Sequence, residues 1–170
     1  MAHPMVEQLR FTRREWLRAL DGVTAEEAVR SFAPINCLSW MVGHLASQEQ
    51  RYWLITPQGK TVAEVVNTCA SGQPASTPSL DEMWAGWHAV TQASDAYLDT
   101  FTDDTLNTHF MVDGQPHREN VGTMLYRVIY HYWFHLGEAQ AVRQLLGHTE
   151  LPSFVGKIPP YGQGQATTHG

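Results

Sequence analysis

Four stretches of the chain repeat apolar residues with the period of a helix, and polar or Pro/Gly-rich segments separate them. From about Met5 to Leu20 the apolar positions are Val6, Leu9, Trp16, Leu17 and Leu20, with Phe11 nearby, and the pattern stops at Asp21-Gly22. Thr24 ahead of Ala25, Glu26 and Glu27 predicts the cap of a short helical turn, ended by Pro34. A second long helix is predicted from Asn36, as its N-cap, to about Ile55, ahead of Pro57. Its stripe is Leu38, Met41, Val42, Leu45, Tyr52 and Trp53. Ser79 with Glu82 three residues on is a capping-box pattern opening a third helix through Met83, Trp84, Trp87, Val90, Ala93, Tyr97 and Leu98. Asn120 caps a fourth, which runs to about Leu146 and stops at Gly147.

The segment from Pro57 to Pro78 is rich in Pro, Gly, Ser and Thr and reads as a long surface connection, with one helical turn near Ala63 to Asn67. Neither side of it has enough apolar faces for a core of its own, so it is not a domain boundary. "TDDTLNTHFMVDGQPHREN" breaks the helical period, and its Asp113-Gly114 predicts the turn of a small extended hairpin. These elements predict an all-α fold: a four-helix bundle with a long crossover connection and a short hairpin before the last helix. Residues 1–150 are read as that bundle domain and residues 151–170 as a Pro/Gly-rich tail.

Composition narrows the function. At 170 residues the chain suits one domain, and 43% hydrophobic with 16% charged residues is ordinary for a soluble globular protein. A net charge of −6 with 11 Lys and Arg argues against nucleic acid as a partner. No run approaches the ~18 apolar residues of a membrane span, and no signal peptide opens the chain. Cys37 and Cys69 suit reduced thiols, so the expected compartment is the cytoplasm.

The candidate chemistry lies in the histidines. At roughly 100° per residue, the fourth helix places Val121, Met124, Val128, Ala139, Val142 and Leu146 on one face, with His131 and His135 in its middle. Both occupy positions where the pattern expects Leu or Val. Histidines four apart point the same way and can grip one metal ion; the competing reading is a hydrogen-bonded core pair. His44, on the flank of the second helix's stripe, is the third candidate. Together they would form a His₃ face with coordination positions open, and neutral imidazole suits Zn, Ni, Fe or Cu. The intervening Glu of an H-E-x-x-H protease is absent, since Tyr132 follows His131.

The motif W-x-x-G-H-L in the second helix (Trp40, Gly43, His44, Leu45) and H-x-x-x-H-x-G-E in the fourth (His131, His135, Gly137, Glu138) resemble the DinB superfamily, also called YfiT-like. The resemblance covers about Met5 to Gly147. It departs at Glu138, where many members have Gln, and in the tail. It implies His44, His131 and His135 as a metal triad. Characterised members include thiol-dependent S-transferases using low-molecular-weight thiols and a mycothiol-dependent isomerase; hydrolysis is the other implied chemistry, and pairing into homodimers is common. The expected cofactors are therefore one divalent metal ion, Zn or Ni ahead of Fe, and a low-molecular-weight thiol, with a small-molecule substrate. The alternative is a non-enzymatic bundle that binds metal for stability or ligand sensing.

Neighbours of the histidines are weighed against plainer roles. Arg127 and Arg51 flank the His face as candidate anchors for a substrate carboxylate, and Glu138 as a base or an orienting group, each against the role of an ion pair. Gln48 could orient a ligand and Trp40 could wall the pocket, against interface and core roles. His88 reads as a core-edge residue and His109 and His117 as hairpin surface. His3, His148 and His169 read as solvated, and Cys37 as a buried thiol.

Overall fold

The computed structural model describes residues 2–158. Helix α1 (Pro4–Ala19) begins with Pro at its first position and buries Val6, Leu9 and Trp16 completely. The short α2 (Ala25–Ala28) carries a reciprocal capping box between Thr24 and Glu27. Helix α3 (Leu38–Glu49) has Cys37, not Asn36, at its N-cap, one residue later than the pattern suggests. It continues through a π-helical segment, Gln50–Ile55, into a last turn, α4 (Thr56–Gln58), and so passes Pro57 instead of stopping before it. Proline lacks the N–H that would meet the Trp53 carbonyl; the Gln58 side-chain amide donates there instead, at 2.7 Å. Gly59, at φ 62, then ends the helix.

Helix α5 (Leu80–Leu98) has a one-sided cap: the Ser79 hydroxyl accepts from the Glu82 N–H at 3.5 Å, with no reciprocal bond from Glu82. A five-residue helix, α6 (Asp103–Asn107), capped by Thr102, stands where the sequence pattern reads only a break. Strands β1 (Met111–Val112) and β2 (Gln115–Pro116) pair antiparallel. Asp113 and Gly114 between them are both at positive φ, 51° and 76°, as a two-residue hairpin turn requires. Helix α7 (Val121–Leu145) is capped by Asn120 and followed by Gly147 at φ 95. The architecture is an all-α four-helix bundle of α1, α3, α5 and α7. None of the described helices is long and apolar enough to cross a membrane.

The crossover is not merely a surface connection. Its 3₁₀ helix, Glu64–Cys69, buries Val66 and Cys69, with Ala63 beside it. The clamp is Gln50, fully buried: its Oε1 accepts the Val62 and Ala63 N–H groups at 2.9 Å each, and its Nε2 donates to the Ala63 carbonyl and Asn67 Oδ1 at 3.1 Å each. Two glycines admit the segment. A Cβ on Gly86 would stand 2.5 Å from Val66 Cγ1, and one on Gly43 would stand 2.8 Å from Cys69 Sγ.

A charged network crosses the core. Arg13 of α1 donates to Glu49 of α3 through Nε at 2.9 Å and through Nη2, and to Asp95 of α5 through Nη1 at 2.8 Å. Tyr132 of α7 donates to Glu49 Oε1 at 2.7 Å, and Trp87 of α5 donates to the Tyr132 hydroxyl at 2.7 Å. Burial alone would lower the Arg13 pKa, but the Glu49 carboxylate outweighs it and holds the guanidinium above its ordinary value. Beyond α7, the tail begins docked on α1: Arg18 donates to the Ser153 carbonyl at 2.7 Å, and the Gly156 N–H donates to Glu15 at 2.7 Å.

Removing one partner of the pair strands the other charge in the core. Glu49→Ala is expected to cost about 3–5 kcal/mol, and the double variant Arg13→Met/Glu49→Met less than that. Urea unfolding of the three proteins checks both statements.

Candidate metal centre

Three rings converge from two helices. His44 of α3 and His131 and His135 of α7 each bring one ring nitrogen to a common point, all within 4.8 Å of one another. His44 Nε2 lies 3.2 Å from His131 Nε2, which lies 3.0 Å from His135 Nε2. The α7 pair sits one turn apart on a stripe that is otherwise Val, Met and Ala, so packing turns both rings inward.

The far nitrogen of each ring has its own neighbour. His44 Nδ1 meets the Cys69 carbonyl at 2.8 Å, and His131 Nδ1 meets Gln48 Oε1 at 2.5 Å. A carbonyl oxygen only accepts, so in both rings the proton sits on Nδ1 and Nε2 carries a lone pair. His135 Nδ1 lies 2.6 Å from Glu138 Oε2 but makes no hydrogen bond, so this buried nitrogen has no hydrogen-bond partner among the described residues. Trp40 stacks flat on His44, with centroids 4.5 Å apart and planes 14° apart, fixing the ring plane.

Electrostatics keep the rings neutral. Burial lowers the His44 pKa, against a smaller opposing effect of the Cys69 carbonyl. Burial, with His44 and Arg127 adding to it, brings His131 to about 4; burial, with the other two rings, brings His135 to about 3. Burial also raises the Glu138 carboxyl. Three neutral imidazoles converging on one point, two of them with an acceptor behind that leaves Nε2 unprotonated, are the donor set that suits a divalent cation such as Zn or Ni.

The cluster opens to a polar cleft of about 310 Å³, walled by His44, His131, Ser47, Arg51, Tyr52 and Ser71 among others. Both candidate arginines reach it. Arg127 is held at the rim by a two-point contact with Glu119, so it is an ion pair and a cleft wall at once. Of the remaining histidines, His88 is exposed against Trp84 and Trp87 and does not line the cleft. His109 and His117 belong to the hairpin, as read. His3 and His148 are not the solvated side chains their positions suggest. His3 caps α1, accepting from the Met5 N–H at 3.1 Å, with Nε2 3.1 Å from Asp103. His148 accepts from Arg143 at 3.0 Å and meets Glu27 at 3.0 Å, so it is engaged on both sides and not simply solvated. His169 lies outside the described residues. Cys37 is buried, as expected. The group that sequence reasoning missed is the Cys69 carbonyl, and Gly43 beside His44, which lets that strand of chain approach, is the signal that could have found it.

A family model described as mycothiol-S-transferase matches residues 5–147. The fold is similar to the crystal structure of a DinB-like protein from Bacillus cereus ATCC 10987, with a TM-score of 0.64 and 19% identity over 87% of this chain and 93% of that one. No curated protein matches the chain.

Depressed histidines make the metal-free protein sensitive to mild acid. Between the ordinary value of 6.5 and the lowered values of about 4 and about 3, the unfolded chain binds the protons that the folded cluster refuses. Stability is full above that window and is lost as pH falls through it. The urea midpoint of metal-free protein is expected to drop from about pH 7 to about pH 5, and the variant His131→Gln/His135→Gln to flatten the slope. An equal slope in the variant would assign it to other groups.

Proposed function

This chain belongs to the mycothiol-S-transferase family, and we propose that it is a thiol-dependent transferase in which His44, His131 and His135 hold one divalent metal ion. One observation carries the reading: the Nε2 atoms of three neutral rings converge while acceptors occupy the Nδ1 side of two of them. Zn or Ni is the expected ion, with Fe third. A divalent ion held by these three imidazoles would supply Lewis-acid chemistry, lowering the pKa of a thiol and favouring its thiolate at neutral pH.

The chain's own residues supply the rest. The Cys69 carbonyl and Gln48 select the tautomers that leave Nε2 free, and Trp40 holds the His44 ring in its plane. Glu138, half-buried with its carboxyl pKa raised by burial, stands beside the far nitrogen of His135, where it would help orient that ring. Arg51 and Arg127 present guanidinium groups along the polar cleft, where they orient polar or anionic parts of a bound thiol or its acceptor.

Metal content of untagged protein, purified without added metal, is the first test. About one equivalent is expected in the wild type and little in His135→Ala, while Gln48→Leu weakens metal affinity about 10–100-fold. Consumption of a low-molecular-weight thiol in the presence of an electrophile should follow the metal content across these proteins. A folded wild type that takes up neither Zn nor Ni would sink the reading.

A further inference from the structure

Three large aromatic side chains lie exposed on α7: Tyr126 at 48%, Tyr130 at 64% and Phe134 at 61% of their surface. They recur every four residues and so form one stripe along the helix, beside the buried stripe that carries His131 and His135. Tyr126 and Tyr130 lie nearly parallel, with planes 15° apart and centroids 5.8 Å apart, and Phe134 stands edge-on to His135 at 5.2 Å. The stripe walls a second cleft of about 630 Å³. That volume lies within the ~300–1,000 Å³ of small-molecule sites.

This cleft and the polar one share three residues: Gln48, Arg127 and His131. They meet at the histidine cluster and differ beyond the shared residues, one walled by Ser47, Arg51, Tyr52 and Ser71 and the other by Thr123 and the side chains of Tyr126, Tyr130 and Phe134. A transferase needs two sites joined at the reacting atoms, one for the group donor and one for the acceptor. Resting on the reading of the chain as a thiol transferase, we propose that the aromatic cleft is the acceptor subsite and that it selects flat aromatic electrophiles, of which an activated haloarene is the test case. Tyr126, Tyr130 and Phe134 are its specificity-determining residues.

The step balances without any further reagent. The thiolate sulfur attacks the halogen-bearing ring carbon, a C–S bond forms and the C–halogen bond breaks. The halide leaves with the bonding pair, and the thiol proton passes to water. Negative charge spreads over the ring and its electron-withdrawing groups during the attack. Arg127, paired with Glu119, borders the cleft on the side shared with His131.

Binding of finished conjugates tests the subsite without requiring turnover or metal. Isothermal titration compares the S-(2,4-dinitrophenyl) and S-butyl conjugates of N-acetylcysteine on the full-length wild type, Tyr130→Ala, Phe134→Ala and the conservative Tyr130→Phe. The alanine variants should bind the aryl conjugate about tenfold more weakly, with less than about twofold change for the butyl conjugate, and Tyr130→Phe should retain aryl binding. Because both positions are exposed, the variants are expected to fold, and circular dichroism checks that they do. Equal weakening of both conjugates, or of neither, overturns the proposal. So does a wild-type dimer that dissociates on Tyr130→Ala with aryl affinity unchanged, which would assign the stripe to a second copy of the chain. A protein that binds the aryl conjugate in this way but transfers no thiol would leave the subsite standing and remove the transferase reading.

Discussion

The buried pair of Arg13 and Glu49 is the constraint on which the bundle is built. Neither charge is tolerable alone in the core, and together they recruit Tyr132, Trp87 and Asp95, so that all four long helices supply a partner. Such a network has one satisfactory alignment of the helices along their axes. The alignment extends to the histidines because of simple adjacency. Glu49 follows Gln48 on α3 and Tyr132 follows His131 on α7, and the two bonded pairs, Glu49 with Tyr132 and Gln48 with His131, are consecutive rungs between the same helices. Successive helix residues point about 100° apart, so one rung faces the core and the next faces the cleft. The ion pair that aligns the bundle thereby aligns the site.

What the sequence revealed was whatever periodicity and caps encode locally. The α7 stripe is apolar at Val121, Met124, Val128, Ala139 and Val142, and His131 and His135 stand out because they interrupt it. Thr24, Asn120 and Asp113-Gly114 mark their turns and caps where the structure has them. The failures are places where a polar side chain replaces a backbone interaction. Pro57 ends a helix by rule, yet Gln58 takes up the carbonyl it abandons. The crossover looks like surface because its residues are small and polar, and only Gln50, a buried amide on another helix, shows that it is docked. Glu49 lies in "SQEQR", a polar run that helical periodicity does not assign to the core. Nothing local says that its partner stands 36 residues away in Arg13. Helix α6 is too short for its period to register, although Thr102 and the acidic residues after it form an ordinary start.

The site itself divides labour between rigid and accessible parts. The ring atoms that face one another are set by the core side of α3 and α7 and by a backbone carbonyl. Arg51, Arg127 and the exposed aromatic stripe lie on the open side, where side chains have fewer neighbours. Family membership and fold bear on the first group, which repeats the motif pattern. The second group lies outside the motif positions, so a resemblance carried by Trp, Gly and His positions says little about what the protein accepts.

The acceptor for His44 comes from Cys69, 25 residues along the chain, and the acceptor for His131 comes from Gln48, 83 residues away. Contacts of such separation form only after long loops have closed, and loop closure is what slows folding. The ring orientations of this cluster are therefore a late product: α7 alone can set His131 and His135 side by side, but their partners arrive only when the crossover has docked under Gly43 and α3 has met α7. A spectroscopic probe of these rings reports completion of the whole fold, where helix content reports only its beginning.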